Sequence, residues 1–134
     1  MRIWTTALFV LGLVLIIGLA DAQTGPNRVA LKNGEAIELS SVYWVSNCRS
    51  IMIGLPEVEV LEGPAEQLSV AVKEEQVVPR KFGCVNKVPG GKLILTAKGS
   101  VTERTEANLI FRLKYKTKEG DRQTSLTYIV TLFP

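Results

Sequence analysis

A row of basic side chains near the C-terminus is the feature of this sequence best suited to binding chemistry. Arg112, Lys114 and Lys116 alternate along one segment, and Lys118 and Arg122 follow shortly after. In a β-strand, residues two apart point to the same face and lie about 7 Å from one another. Such a row suits an extended anionic partner, namely a polysaccharide, lipid headgroups or an acidic peptide. The alternative is a solvated outer face, on which lysine also prevents edge-to-edge aggregation. The candidate surface consists of Arg112, Lys114, Lys116 and Arg122.

Residues suited to catalysis are scarce in this chain. It contains no histidine, which excludes Ser-His and Cys-His nucleophilic pairs, histidine general bases and histidine metal ligands. Carboxylates are paired at Glu57/Glu59 and Glu74/Glu75, but a glycosidase needs two that face each other across a cleft. Glu57 and Glu59 would instead share the solvent face of a strand. We therefore expect a protein that is not an enzyme and has no cofactor or metal; a carboxylate-dependent hydrolase is the least favoured hypothesis.

The N-terminal segment 1–22 has the layout of a secretory signal peptide. Arg2 precedes an almost unbroken apolar run over residues 7–20, and Ala-Asp-Ala at 20–22 supplies the small residues of a cleavage site. We expect cleavage after Ala22 and a mature protein that is periplasmic or secreted. The alternative is an uncleaved anchor, which would then be the protein's contact with a membrane.

The chain has two cysteines, Cys48 and Cys84. An even count in an exported protein predicts a disulfide, and one intramolecular pairing exists. Closing the loop between them would remove roughly 4 kcal/mol of unfolded-state entropy. A thiol-redox role lacks its C-x-x-C motif, and a distant cysteine pair is weak evidence for zinc.

Charge is unevenly distributed along the chain, although the net charge of +3 is small. A surplus of this size does not support a nucleic-acid partner, for which a basic stripe would be expected. Residues 57–75 carry a net charge of −5 and residues 76–134 carry +7. Either neighbouring strands pair these charges, or the molecule has an acidic and a basic surface for a charged partner or for self-association.

The sequence after the signal peptide predicts short strands separated by turns. β-Branched and aromatic residues alternate with polar ones, and no segment keeps a helical period over three turns. Turns are predicted at 89–91 (PGG) and 119–121 (EGD). The strand with the basic row has a second, inward row: Leu109, Phe111, Leu113 and Tyr115. Strands are predicted at residues 35–46, 49–55, 58–60, 67–73, 92–98, 107–117 and 122–133.

This pattern predicts an all-β fold, an immunoglobulin-like antiparallel β-sandwich of about seven strands after an N-terminal signal helix. The alternative is a small β-barrel. Beyond the signal peptide, residues 23–34 are expected to be a loose segment and residues 35–134 a single sandwich domain. Tyr43 and Trp44 are adjacent in the first predicted strand, so one of them should face the solvent.

Three stretches of the sequence, VYWVSNCRSI, NKVPGGKL and LKYKTKEGDRQTSLTYIVTLFP, resemble small exported bacterial proteins of unknown function. The last stretch also resembles the closing hairpin of bacterial immunoglobulin-like domains. True immunoglobulin domains place a tryptophan between their two cysteines, whereas Trp44 precedes Cys48 here. The resemblance therefore supports the fold and implies a place in the bacterial periplasm or envelope. It does not indicate a ligand.

Two binding hypotheses follow from the sequence. The first is an exported, non-enzymatic β-sandwich with a binding or assembly role, whose partner is an anionic envelope component or another protein. The second is an inhibitor or accessory subunit that docks through the turn-rich loop 85–91, because the disulfide at Cys84 would make that loop rigid.

Overall fold

The computed structural model describes residues 27–134, which form nine β-strands and one short 3-10 helix at Arg80–Phe82. The expected signal peptide 1–22 lies outside the described residues. Within 27–134 no helix is long and apolar enough to cross a membrane. The strands are β1 Asn27–Lys32, β2 Ala36–Val42, β3 Val45–Ser46, β4 Arg49–Ser50, β5 Glu57–Glu62, β6 Leu68–Val77, β7 Val88–Ala97, β8 Thr105–Thr117 and β9 Gly120–Phe133.

Two packed sheets make the molecule a β-sandwich. The first sheet has the strand order β1-β9-β8-β5, and the second has the order β2-β7-β6. Strands β3 and β4 form a separate two-stranded hairpin. Both main sheets remain open at their edges, which distinguishes the fold from the alternative of a closed barrel. The all-β sandwich expected from the sequence is therefore confirmed.

The long hairpin of β8 and β9 supplies most of one core face. Its strands pair in continuous register from Thr105↔Leu132 to Thr117↔Gly120. Gly120 closes the turn with φ at 107°, a conformation that side chains disfavour. The expected alternation is confirmed, because the inward residues of β8 are buried and those between them are more exposed. The buried set is Leu109, Phe111, Leu113 and Tyr115.

The segment expected to be loose contains a strand. β1 lies parallel to β9, in register from Asn27↔Tyr128 to Lys32↔Phe133. Burial explains this pairing, because Leu31 enters the core and Val29 packs against it. The expectation of a loose segment 23–34 is thus wrong for β1, and the first sheet is mixed instead of purely antiparallel.

The expected turn at 89–91 is instead part of β7. Gly90 pairs with Glu75 of β6, and Gly91 pairs with both β6 and β2. A Cβ atom on Gly90 would meet the backbone oxygen of Val42 and would lie 2.7 Å from Cγ2 of Val77. These glycines therefore allow neighbouring strands to approach closely. Close approach, and not only a turn, can thus explain a glycine in the sequence.

Gly90→Ala should lower the free energy of unfolding by about 1–3 kcal/mol, because the added methyl group overpacks a site walled by backbone. Urea denaturation followed by tryptophan fluorescence measures the loss. Pro89→Ala is the matched control, since Pro89 is exposed at the adjacent position of the same strand. Equal losses in both variants would contradict the close-approach interpretation.

Candidate functional site

Three of the four candidate bases line one cleft at the β8–β9 turn. The cleft has a volume of about 680 Å³, and we call it the hairpin cleft. Its lining combines basic, acidic and apolar side chains. The lining residues are Ile53, Leu55, Glu57, Lys114, Tyr115, Lys116, Asp121, Arg122 and Gln123.

One wall of the hairpin cleft is the segment that follows β4. Backbone hydrogen bonds hold it against the end of β8: Ile53 donates to the Lys116 carbonyl at 2.7 Å, and Lys118 donates to the Ile51 carbonyl at 2.9 Å. This segment was expected to be a strand over 49–55, but its ladder is limited to β4 and a bridge from Met52. Ile53 and Leu55 consequently remain exposed on the cleft wall.

The register of the hairpin separates the candidate bases onto two faces. Arg122 lies directly opposite Tyr115, and directly opposed residues in an antiparallel pair share a face. Lys114 and Lys116 project from the other face, because adjacent residues alternate. The hairpin cleft therefore brings Lys114, Lys116 and Arg122 together around the end of the sheet, whereas a single straight row was expected.

Glu59 of β5 partly neutralises the row. Its two carboxylate oxygens accept hydrogen bonds from Arg112 at 3.1 Å and from Lys114 at 3.0 Å. The side chains of Arg112 and Lys114 are 32% and 41% exposed, which is less than the open exposure expected for them. Part of the charge asymmetry is thus paired between neighbouring strands, as one of the two explanations predicts.

The same contacts determine the ionisation of Glu59. The hydrogen bond from Lys114, together with the charges of Lys114 and Arg112, lowers the pKa of the Glu59 carboxyl despite partial desolvation. A lowered pKa means that the pair stabilises the fold at neutral pH and loses this contribution as the pH falls through that pKa. A general acid needs a raised pKa, so Glu59 does not fit the acid of a carboxylate-dependent hydrolase.

Positive charge without an ion pair remains at Lys116 and Arg122. Both side chains are exposed, and neither has a carboxylate oxygen within 4.0 Å among residues 27–134. Asp121 and Glu57 also line the cleft, so its charge is mixed but basic on balance. Within the part of the chain that the structure describes, no group of three His, Cys, Asp or Glu residues could hold a metal ion.

Tyr115 lines the hairpin cleft and is nearly buried. It is 6% exposed, and its ring lies 5.0 Å from that of Trp44 at an interplanar angle of 57°. Burial, and secondarily the nearby Tyr43, raises the pKa of Tyr115 to about 12. The phenol is therefore uncharged at physiological pH and lies nearly buried beneath the bases.

The predicted disulfide between Cys48 and Cys84 is present, with a Cα–Cα distance of 5.5 Å. It links the turn of the β3–β4 hairpin to the loop after the 3-10 helix. Asn47 and Cys48 both have positive φ, at 50° and 59°, which matches a tight hairpin turn. A disulfide is consistent with an oxidising compartment outside the cytoplasm.

The proposed docking loop is shorter than expected. Residues 88–91 belong to β7, so the exposed loop next to Cys84 consists of Val85, Asn86 and Lys87. Val85 is 85% exposed, and Phe82 of the adjacent 3-10 helix is 63% exposed. The exposed apolar residues thus flank the disulfide, where the docking hypothesis needs them.

Comparison with known proteins identified no similar protein. No protein-family model matches the chain, no curated protein matches it, and no solved structure matches it. The function must therefore be inferred from the clefts themselves.

Proposed function

We propose that this protein is an exported, non-enzymatic binding protein of the bacterial periplasm or envelope, and that its hairpin cleft binds an anionic partner. The observation that carries the proposal is the placement of Lys116 and Arg122, two bases without an ion pair in the described residues, in a cleft that also exposes the apolar side chains of Ile53 and Leu55. Ligand sites commonly combine an apolar surface with a few polar groups that orient the ligand.

The location is supported by two independent features. The segment 1–22 has the composition of a signal peptide, and the disulfide fits an oxidising compartment. The resemblance to small exported bacterial proteins supports the bacterial envelope.

A second candidate function rests on the loop beside the disulfide. Phe82 and Val85 are large apolar residues that remain mostly exposed on a covalently braced loop. An inhibitor or accessory subunit would insert such side chains into a partner protein. In that case, Phe82→Ser would abolish partner binding and reversal of charge in the hairpin cleft would not.

Reversing the charge at two positions tests the proposed function. The double substitution Lys116→Glu and Arg122→Glu should weaken binding to an anionic probe by about tenfold or more, since each exposed charge contributes up to about 1 kcal/mol. Polygalacturonate, phosphatidylglycerol vesicles and polyglutamate are suitable probes, measured by fluorescence anisotropy or co-sedimentation. Binding by the unmodified protein should weaken as salt rises, because exposed charges are screened.

Lys32→Glu is the matched control. Lys32 is exposed and pairs with Phe133, eleven residues beyond Arg122 on β9, which places it roughly 37 Å away along the strand. Equal weakening by the control would indicate a non-specific charge effect and contradict the proposal. If the double variant changes only the mass of the protein in solution, the basic surface serves self-association instead.

A further inference from the structure

A second basic cleft is lined in part by the 3-10 helix and by the loop next to Cys84. It has a volume of about 580 Å³, and we call it the loop cleft. Four of its side chains are basic, and one, Glu75, is acidic. The bases are Arg80, Lys81, Lys87 and Lys92, and the hydroxyl groups of Ser40, Ser41 and Tyr43 lie beside them.

Most of the charge in the loop cleft is not compensated. Lys92 donates to Glu38 at 3.4 Å and to Ser41 at 3.2 Å, so it is partly paired. Arg80, Lys81 and Lys87 are exposed and have no carboxylate oxygen within 4.0 Å in the described part of the chain. The loop cleft, with four bases and one carboxylate, therefore has a larger excess of positive charge than the hairpin cleft, with three bases and two carboxylates, and we expect it to attract anions more strongly.

An aromatic cleft of about 460 Å³ adjoins both basic clefts. Tyr115 lines the aromatic cleft and the hairpin cleft, while Tyr43 and Lys81 line the aromatic cleft and the loop cleft. The remaining aromatic residues of this cleft are Trp44 and Phe82. Because neighbouring clefts share lining residues, we treat the three as one groove, basic at both ends and aromatic in the middle, and call it the end groove.

Local structure explains why the aromatic residues meet. β2 ends at Val42, so Tyr43 and Trp44 leave the sheet and do not alternate between its faces. The disulfide holds the 3-10 helix near them, and the Phe82 ring packs edge-on against Tyr43 at 6.2 Å. The middle of the end groove is therefore assembled by a covalent link between two distant segments.

The ligand chemistry that fits the end groove is a flexible chain with repeated negative charges and apolar ring faces. A polysaccharide that contains uronic acids has both, because each acidic sugar carries a carboxylate and presents C–H groups that pack on aromatic rings. An acidic peptide supplies the charge without the rings. Single-stranded nucleic acid stacks its bases on several exposed ring faces. Of the four rings here, only Phe82 is more than half exposed, which suffices for contact with one sugar face but not for the stacking of several successive bases.

We propose that one acidic polysaccharide chain occupies the end groove, binds both basic clefts at once and crosses the aromatic residues between them. This inference rests on the proposed function and extends it by naming the ligand class and a second site. Two linked sites bind a long chain more tightly than either site alone, because the second contact is intramolecular. Affinity should therefore depend on the length of the chain.

The test compares the two clefts with polygalacturonate and with galacturonate disaccharide as probes. Arg80→Glu with Lys87→Glu should weaken polygalacturonate binding by about tenfold or more, as should Lys116→Glu with Arg122→Glu. The disaccharide is too short to span both clefts, so it should bind at least about tenfold more weakly than the polymer to the unmodified protein. All substituted side chains are exposed, and unchanged thermal unfolding with Lys32→Glu as the control shows that the fold is retained.

Three results would overturn the inference, and they are distinguishable. If the loop-cleft pair leaves polygalacturonate binding unchanged while the hairpin-cleft pair weakens it, the second site is wrong and the proposed function stands. If neither pair affects any anionic probe, both are wrong. If oligothymidylate binds more tightly than polygalacturonate and is lost on the same substitutions, the groove binds nucleic acid and the ligand class is wrong.

Discussion

Phe111→Ala should lower the free energy of unfolding by about 3–5 kcal/mol, the loss usual for a buried phenylalanine. Phe111 is 0% exposed and lies on β8, which has strand partners on both sides. Its ring stacks on that of Tyr128, with centroids 6.0 Å apart and an interplanar angle of 5°. The substitution removes this stacked pair and leaves a cavity between the sheets, which the rigid ladder cannot close.

Urea denaturation measures this loss, with Arg112→Ala as the control at the adjacent position. Arg112 faces away from the core, and Glu59 keeps its hydrogen bond with Lys114 when Arg112 is absent. The control should therefore lose far less stability than Phe111→Ala. Because small domains have only about 5–15 kcal/mol of stability, Phe111→Leu provides a milder variant that stays folded. Comparable losses for Phe111→Ala and Arg112→Ala would contradict the assignment of the two faces of β8.

Removing the disulfide should lower the free energy of unfolding by about 2–5 kcal/mol. The bond joins residues separated by 36 positions, and closing a loop of that length accounts for roughly 4 kcal/mol in the chain-entropy model. The double variant Cys48→Ser with Cys84→Ser removes the bond and leaves no free thiol. Its stability should match that of the unmodified protein in a reducing agent.

Cys48 also occupies a strained backbone position, and this provides a sharper control. With φ at 59°, Cys48 adopts a conformation that glycine tolerates more easily than serine. Cys48→Gly with Cys84→Ser should therefore be more stable than Cys48→Ser with Cys84→Ser, although both lack the bond. Native protein that reacts at two thiols with an alkylating reagent would show that the disulfide is absent.

The alternation of β8 and β9 could be predicted from the sequence because it is a local property. In a strand, each side chain's face depends on its position alone, so the row of Leu109, Phe111, Leu113 and Tyr115 identifies the buried face. The turn at Gly120 is likewise local, since a positive φ there favours glycine. The pairing of Cys48 with Cys84 required no geometry, because the chain has no other cysteine.

Whether Gly90 and Gly91 form a turn or belong to a strand could not be decided from the adjacent sequence. Gly90 and Gly91 follow a proline, and this pattern is typical of a turn. The same residues also fit a strand whose neighbours approach closely: in β7, Gly90 lies against Val42 and Val77, and Gly91 lies against Val72 and Lys73. β1 could not be predicted for a related reason. Its apolar pattern is short, and the segment forms a strand because it pairs with the edge that β9 offers.

The sequence by itself determined the two-sided strands, the disulfide and the presence of a basic C-terminal half. Only the tertiary structure decided which charged side chains form ion pairs. Glu59 reaches Arg112 and Lys114 because β5 pairs with β8, across more than fifty residues of chain. Arg122 shares a face with Tyr115 because of the hairpin register, and the loop cleft collects bases from separate segments around the disulfide. Spacing along the chain sets the face of each side chain, whereas contact between strands sets its neighbours, and the charge of a site depends on neighbours.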